Sequence, residues 1–152
     1  MKPPLVVKSS APVATGVPRL GDSIDEARPT VFIAEDDPDF RAILADALRH
    51  EGLAVVLFPT GQDLLSALER QRPDVIVTDI VMPGMFGPEL LALLRESGRW
   101  RDIPVVVMTG INDTALPVRL NAPVIAKPEI EELLRAVWFV VRQRKQNGPA
   151  AF

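Results

Sequence analysis

The octapeptide VTDIVMPG, residues 77–84, decides how this chain is read. It closes the apolar run DVIVT (74–78) on a single carboxylate, Asp79, and a Pro-Gly pair turns the chain a few residues later. A run that is continuous in β-branched residues, with no polar residue at every second place, is the pattern of a strand covered on both faces in a parallel sheet. A charge at the end of such a strand needs a reason, and the rest of the chain supplies one.

Working outward, four more runs of the same kind appear: TVFIA (30–34), LAVVLF (53–58), IPVVVM (103–108) and PVIA (123–126). Helical periods separate them. The first starts at Asp37-Pro38, an N-cap followed by proline at the first helical position, and carries Phe40, Ile43, Leu44, Ala47 and Leu48 on one stripe before stopping near Gly52. The second opens at TGQD (60–63), a variant of the capping box, with Leu64, Leu65 and Leu68 facing inward. The third runs from Pro88 through Leu90, Leu91, Leu93 and Leu94 to Gly98. The last, from Pro128, lays Ile130, Leu133, Leu134, Val137, Trp138 and Val141 along one broad stripe. Strands alternating with helices predict a doubly wound α/β fold around five parallel strands. Between the fourth and fifth strands, INDTALPVRLNA (111–122) contains Pro117, which predicts a short or missing fourth helix.

With 152 residues and a hydrophobic share of 47%, the chain has material for one domain with a real core. Residues 1–28, rich in Pro, Ser, Gly and Ala, lack the large apolar side chains needed to offset ordering entropy and read as a flexible extension. The domain is expected over 29–146 and a short tail over 147–152, with no room after residue 146 for an output domain. The formal net charge is -3 and the basic residues are scattered apart from Arg142, Arg144 and Lys145, which suit the end of a helix, so no nucleic-acid footprint is expected. The absence of cysteine excludes disulfides, thiolate metal sites and thiol nucleophiles. His50 reads as a helix-end residue. The apolar stretch Leu5–Val7 is far short of a signal or membrane segment, which leads to the expectation of a soluble, cytoplasmic protein without a membrane partner.

In an open parallel sheet, ligands bind beyond the carboxyl ends of the strands. Read there, the first strand ends in Glu35 and Asp36, the third in Asp79, the fourth in Thr109 and the fifth in Lys127. Crowded carboxylates raise each other's proton affinity unless a cation joins them, and oxygen ligands without His or Cys suit Mg²⁺. A carboxylate can also act as the nucleophile toward phosphorus, with Lys127 to neutralise and Thr109 to donate. Taken singly each residue has a plainer reading: Asp79 as a turn residue, Glu35-Asp36-Asp37 as helix N-terminal charge, Thr109 as a strand end, Lys127 as a surface lysine. Their convergence on one edge of the sheet is what argues for a site.

The acidic pair in VFIAEDDPDFR (31–41), the acceptor motif DVIVTDIVMPG (74–84), the MTG step (108–110) and the Lys-Pro of IAKP (125–128) together resemble a response-regulator receiver domain of two-component signalling. The resemblance spans roughly residues 30 to 142 and implies a flavodoxin-like fold with strand order 2-1-3-4-5. It implies Asp79 as phosphoacceptor, Asp36 as a direct Mg²⁺ ligand, Glu35 acting through water, and the backbone carbonyl of Val81 completing the protein's metal ligands. Thr109 would bond the phosphoryl group and Lys127 would pair with one of its oxygens. The implied phosphodonor is a histidine kinase or phosphotransfer protein, and the receiver catalyses only its own phosphorylation and dephosphorylation. Output would pass through altered surface contacts to an unidentified downstream protein, or onward in a relay.

Two departures from the family pattern and one feature of the last helix carry further expectations. Val81 and Ile111, each two residues beyond Asp79 and Thr109, have no group to hold a hydrolytic water, so slow loss of the phosphoryl group is expected. Val124 stands where an aromatic switch residue is common, and the chain has no Tyr, so the aromatic half of the usual switch is missing. Trp138 to Val141 offer more apolar surface than one inward stripe needs, for a partner or a second copy of the chain. Two rival functions are weighed against the receiver. A haloacid-dehalogenase-type phosphatase needs a second Asp where Val81 stands; a pseudo-receiver scaffold would lack the groups that are present here.

Overall fold

The computed structural model of the chain describes residues 28–82, 84, 87–110 and 122–147. The expected flexible extension over 1–28, except Arg28, the short or missing fourth helix over 111–122, except Ala122, and the tail over 147–152, except Asn147, lie outside the described residues.

Five strands form one parallel sheet among the described residues: β1 (Thr30–Ala34), β2 (Ala54–Phe58), β3 (Val75–Asp79), β4 (Val105–Thr109) and β5 (Val124–Ala126). Four helices among the described residues accompany them: α1 (Pro38–His50), α2 (Gly61–Leu68), α3 (Gly87–Glu96) and α4 (Ile130–Asn147). The strand order is β2-β1-β3-β4-β5, so the winding reverses at β1, whose neighbours are β2 and β3. β3 and β4 end one residue later than the apolar runs suggest. Asp79 and Thr109 are therefore the last residues of their strands rather than the first beyond them.

The period of two along each strand sorts the core into two layers. Phe32, Ala34, Ile76, Val105 and Val107 face the layer holding Leu64, Leu68, Leu90, Leu91 and Leu94 of α2 and α3. Val31, Ile33, Val75, Val77, Val106 and Met108 face the layer holding Leu44, Leu48, Leu133, Val137 and Val141 of α1 and α4. Both faces of the sheet are buried, which is why the strands read as unbroken apolar runs. Each fully buried Leu or Val adds roughly 1.5–3 kcal/mol of transfer free energy. Leu133 is wholly buried, so Leu133→Ala is expected to cost about 2–5 kcal/mol in urea unfolding, and a loss under about 1 kcal/mol would contradict this packing.

Helix ends follow local chemistry. The Asp37 Oδ1 accepts from the amides of Asp39 (3.0 Å) and Phe40 (3.4 Å) with Pro38 in the first turn, and Thr60 Oγ1 accepts from Asp63 N at 3.0 Å. α1 ends at His50, and Gly52, at φ 92°, takes the left-handed conformation that a side chain would resist. The amide of Gly52 bonds the Arg49 carbonyl and that of Leu53 bonds the Leu48 carbonyl, the paired bonds of a Schellman end. One stripe assignment is corrected: Ile43 is 52% exposed, while Ala45 on the same helix is buried. On α3, Leu90, Leu91 and Leu94 are buried and Leu93 is 45% exposed. On α4, Phe139 is 59% exposed while Trp138 and Val140 are half-buried. No helix among the described residues is long and apolar enough to cross a membrane.

Candidate functional site at the carboxyl edge of the sheet

Parallel strands deliver their last residues to one edge, and adjacency in the sheet decides which of them meet. β1 and β3 are neighbours with Ala34 opposite Thr78, so Glu35, directly after β1, arrives beside Asp79. β4 lies on the other side of β3, with Asp79 opposite Met108, and β5 beyond it with Thr109 opposite Ala126. The Lys127 amide donates to the Thr109 carbonyl at 2.8 Å, prolonging that ladder by one step. The Lys127–Pro128 peptide is cis.

At this edge Glu35, Asp36 and Asp79 each place a carboxylate oxygen within 4.8 Å of the others. Glu35 is 1% and Asp79 6% exposed, whereas Asp36 is exposed. Lys127 reaches across from β5: its Nζ donates to Asp79 Oδ2 at 2.7 Å and lies 2.9 Å from Glu35 Oε1. The second contact is an ion pair off the hydrogen-bond direction, and no hydrogen bond reaches Glu35 Oε1 among the described residues. The other oxygen, Glu35 Oε2, accepts the Asp37 amide at 3.0 Å.

Burial raises the Glu35 carboxyl above its ordinary value of 4.5, and the Asp79 charge adds to this against the Asp37 amide and Lys127, which lower it. Burial pulls the Lys127 ammonium down, but the hydrogen bond to Asp79 and the charges of Asp79 and Glu35 outweigh it and hold the group above 10.5. At neutral pH, Lys127 is a partly desolvated cation in a pocket of excess negative charge. The carboxylate oxygens of Glu35, Asp36 and Asp79 form a hard donor set without nitrogen or sulfur, of the kind that suits a hard divalent cation.

Not every residue proposed from sequence meets the carboxylates. The Thr109 hydroxyl, buried at the end of β4, donates to the Gly110 carbonyl at 3.1 Å and not to Asp79. Val81 is 52% exposed, and its amide approaches Asp79 Oδ1 at a long 3.5 Å. Ile111 lies outside the described residues. Two residues at the pocket were missed as such. Arg41 Nη1 donates to the Glu35 carbonyl at 2.7 Å, and the Phe40 ring centroid lies 4.9 Å from Lys127 Nζ. Both belong to the first turns of α1, directly after the Asp37-Pro38 start. Helical side chains lean toward the N-terminus, so this position could have signalled proximity to the end of β1.

The model of the response regulator receiver domain family matches residues 31–137. The DNA-binding transcriptional regulator NtrC of Proteus hauseri is 33% identical over 129 residues, which are 78% of this chain and 26% of that protein. The transcriptional regulatory protein BaeR of Escherichia coli is 38% identical over 87 residues, 57% of this chain and 35% of that protein. This chain thus spans about a quarter to a third of the length of these two relatives. Among solved structures, the signal receiver domain of a signal transduction histidine kinase from Syntrophus aciditrophicus superposes with a TM-score of 0.72 at 26% identity, covering 82% of this chain and 98% of that one.

Proposed function

We propose, since this chain belongs to the response-regulator receiver family, that Asp79 accepts a phosphoryl group and that the resulting change at the pocket is the signal the domain passes on. The observation that carries this reading is the meeting of Asp79 with Lys127 at 2.7 Å inside a cluster of carboxylates at one sheet edge. In the step, an Asp79 carboxylate oxygen attacks phosphorus. The P–N bond of a phosphohistidine, or the P–O bond of a small acyl phosphate, breaks, and the electron pair leaves with the imidazole or the carboxylate. An acyl phosphate on Asp79 results.

Lys127 is placed to follow the charge. Its ammonium, now on Asp79 Oδ2, is within reach of an oxygen added at Asp79, so positive charge stays at the developing phosphoryl group in a partly buried pocket. Glu35 holds the far side of the ammonium and limits its travel. Thr109 reaches the group only by exchanging its bond to Gly110 for one to phosphate, a local rearrangement at the end of β4 that phosphorylation can favour. Glu35, Asp36, Asp79 and the Val81 backbone carbonyl are the residues that would hold Mg²⁺. The chemistry a bound Mg²⁺ supplies is neutralisation among the carboxylate and phosphoryl oxygens.

The partners that fit are a histidine kinase or phosphotransfer protein as donor and a protein as receiver of the output, in a cytoplasmic setting. Incubation with a small acyl phosphate and Mg²⁺, followed by intact mass, is expected to add one phosphoryl group. A protein unchanged in mass would leave the scaffold reading in its place. Because Val81 presents an aliphatic side chain beside Asp79, with no group to orient or deprotonate a water, the phosphorylated form is expected to decay over minutes to hours. A lifetime of seconds in a mass time course would refute this.

A further inference from the structure

We infer that Phe40 is a positioning residue for phosphoryl transfer, its ring holding the Lys127 ammonium over the carboxylate pocket; the inference rests on the reading of Asp79 as phosphoacceptor. Among the described residues three groups meet Lys127 Nζ: Asp79 Oδ2 at 2.7 Å, Glu35 Oε1 at 2.9 Å and the Phe40 ring centroid at 4.9 Å. The first two carry charge, and one of them, Asp79, is the group whose oxygen is consumed in the reaction. The ring attracts a cation through its quadrupole without neutralising it or competing for its proton. It therefore offers Lys127 a resting partner that does not change when Asp79 does, and it leaves the whole positive charge available to the incoming phosphoryl oxygens.

The contact is built into the fold. Phe40 is the third residue of α1, and its amide bonds the Asp37 cap, which sets the rotation of the helix at this point. Its side chain leans toward the helix N-terminus and so toward the end of β1, where Glu35 stands. Its half-buried ring also packs on the layer formed by α1, α4 and the sheet. Two other cation–π contacts, Arg99 over Trp100 at 5.3 Å and Arg142 over Trp138 at 5.7 Å, join residues close in sequence. The Lys127–Phe40 contact is shorter and joins α1 to the residue after β5. Its cation is the one that meets the acceptor carboxylate. Packing alone would be satisfied by a leucine; a face for an ammonium would not.

The test is a double-mutant cycle read as initial rates of phosphoryl uptake from a small acyl phosphate with Mg²⁺, measured by intact mass over a range of donor concentrations. Phe40→Leu is expected to lower the maximal rate about tenfold, with the half-saturating donor concentration unchanged within about twofold. Phe40→Tyr, which keeps the aromatic face, is expected to stay within about threefold of the wild type. In the Lys127→Met background, Phe40→Leu is expected to have no further effect, because the group it positions is gone. A ring that merely supports the fold would slow both backgrounds by the same factor, and that result would overturn the inference, as would a Phe40→Leu rate equal to the wild type. If the wild type itself takes up no phosphoryl group, the reading of Asp79 falls and this inference with it. A labelled wild type with an unaffected Phe40→Leu variant removes this inference alone.

Discussion

Asp79→Asn is expected to leave the protein folded and to lower phosphoryl uptake by roughly 10³-fold or more, since an amide oxygen is a poor nucleophile and nothing else at the pocket replaces it. The alternatives are close at hand, which makes the result informative. Glu35 and Asp36 have oxygens within 4.8 Å of Asp79, so proximity to an incoming phosphoryl group does not by itself select the acceptor. Selection comes from contacts. Glu35 has one oxygen on the Asp37 amide and its other oxygen shut in with the ammonium, and only 1% of its surface meets solvent. Asp36 is exposed, and the Lys127 ammonium pairs with Glu35 and Asp79 instead. Asp79 combines a hydrogen bond from the lysine with an oxygen, Oδ1, that among the described residues accepts only the long contact from the Val81 amide. Uptake by Asp79→Asn at the wild-type rate, with the label mapped to Asp36 or Glu35, would overturn the assignment. Far-ultraviolet circular dichroism separates loss of the acceptor from loss of the fold.

The second large effect belongs to Lys127→Met, for which uptake is expected to slow by about 10²–10³-fold, the usual consequence of removing one preorganised charge from a partly buried site. This variant also tests the electrostatics of the resting protein. Glu35 binds its proton more tightly in the folded chain than in the unfolded one, so its titration adds stability below pH 4.5 that is lost as pH rises through the higher folded value. Neutral pH is therefore where the buried carboxylates most need the ammonium. Lys127 is shifted in the same direction over a higher window: its contribution is complete below pH 10.5 and fades as pH climbs through the still higher folded value. Lys127→Met should cost about 2 kcal/mol at pH 7, below the ~3–5 of fully buried pairs because 24% of the lysine side chain is exposed. At pH 4.5 the cost should be smaller. Urea unfolding of both proteins at the two pH values checks this, and an equal cost at both would show that the lysine acts through packing of its stem rather than its charge.

Much of this molecule is legible before it folds. Continuous β-branched runs need cover on both faces, which selects a parallel sheet with helices on either side. Asp37-Pro38 and Thr60 start helices through contacts with their own neighbours, and Gly52 ends one because a left-handed residue is required there. Placing Glu35, Asp36, Asp79, Thr109 and Lys127 on one edge required only counting along each strand, since every parallel strand points its last residue the same way.

What the chain could not disclose by itself was contact. Whether Thr109 bonds Asp79 or Gly110, and whether Lys127 reaches one carboxylate or two, depends on sub-ångström placement of strands remote in sequence. A period of 3.6 says that Phe40 lies on the inner stripe of α1, but not that the stripe's first member overhangs the end of β1 and meets an ammonium from residue 127. Local rules of propensity, capping and alternation act over a few residues and so are written in short stretches. The pocket's energies are sums over groups up to 92 positions apart, from Glu35 to Lys127, and those distances exist only once the sheet has closed its order around β1 and β3.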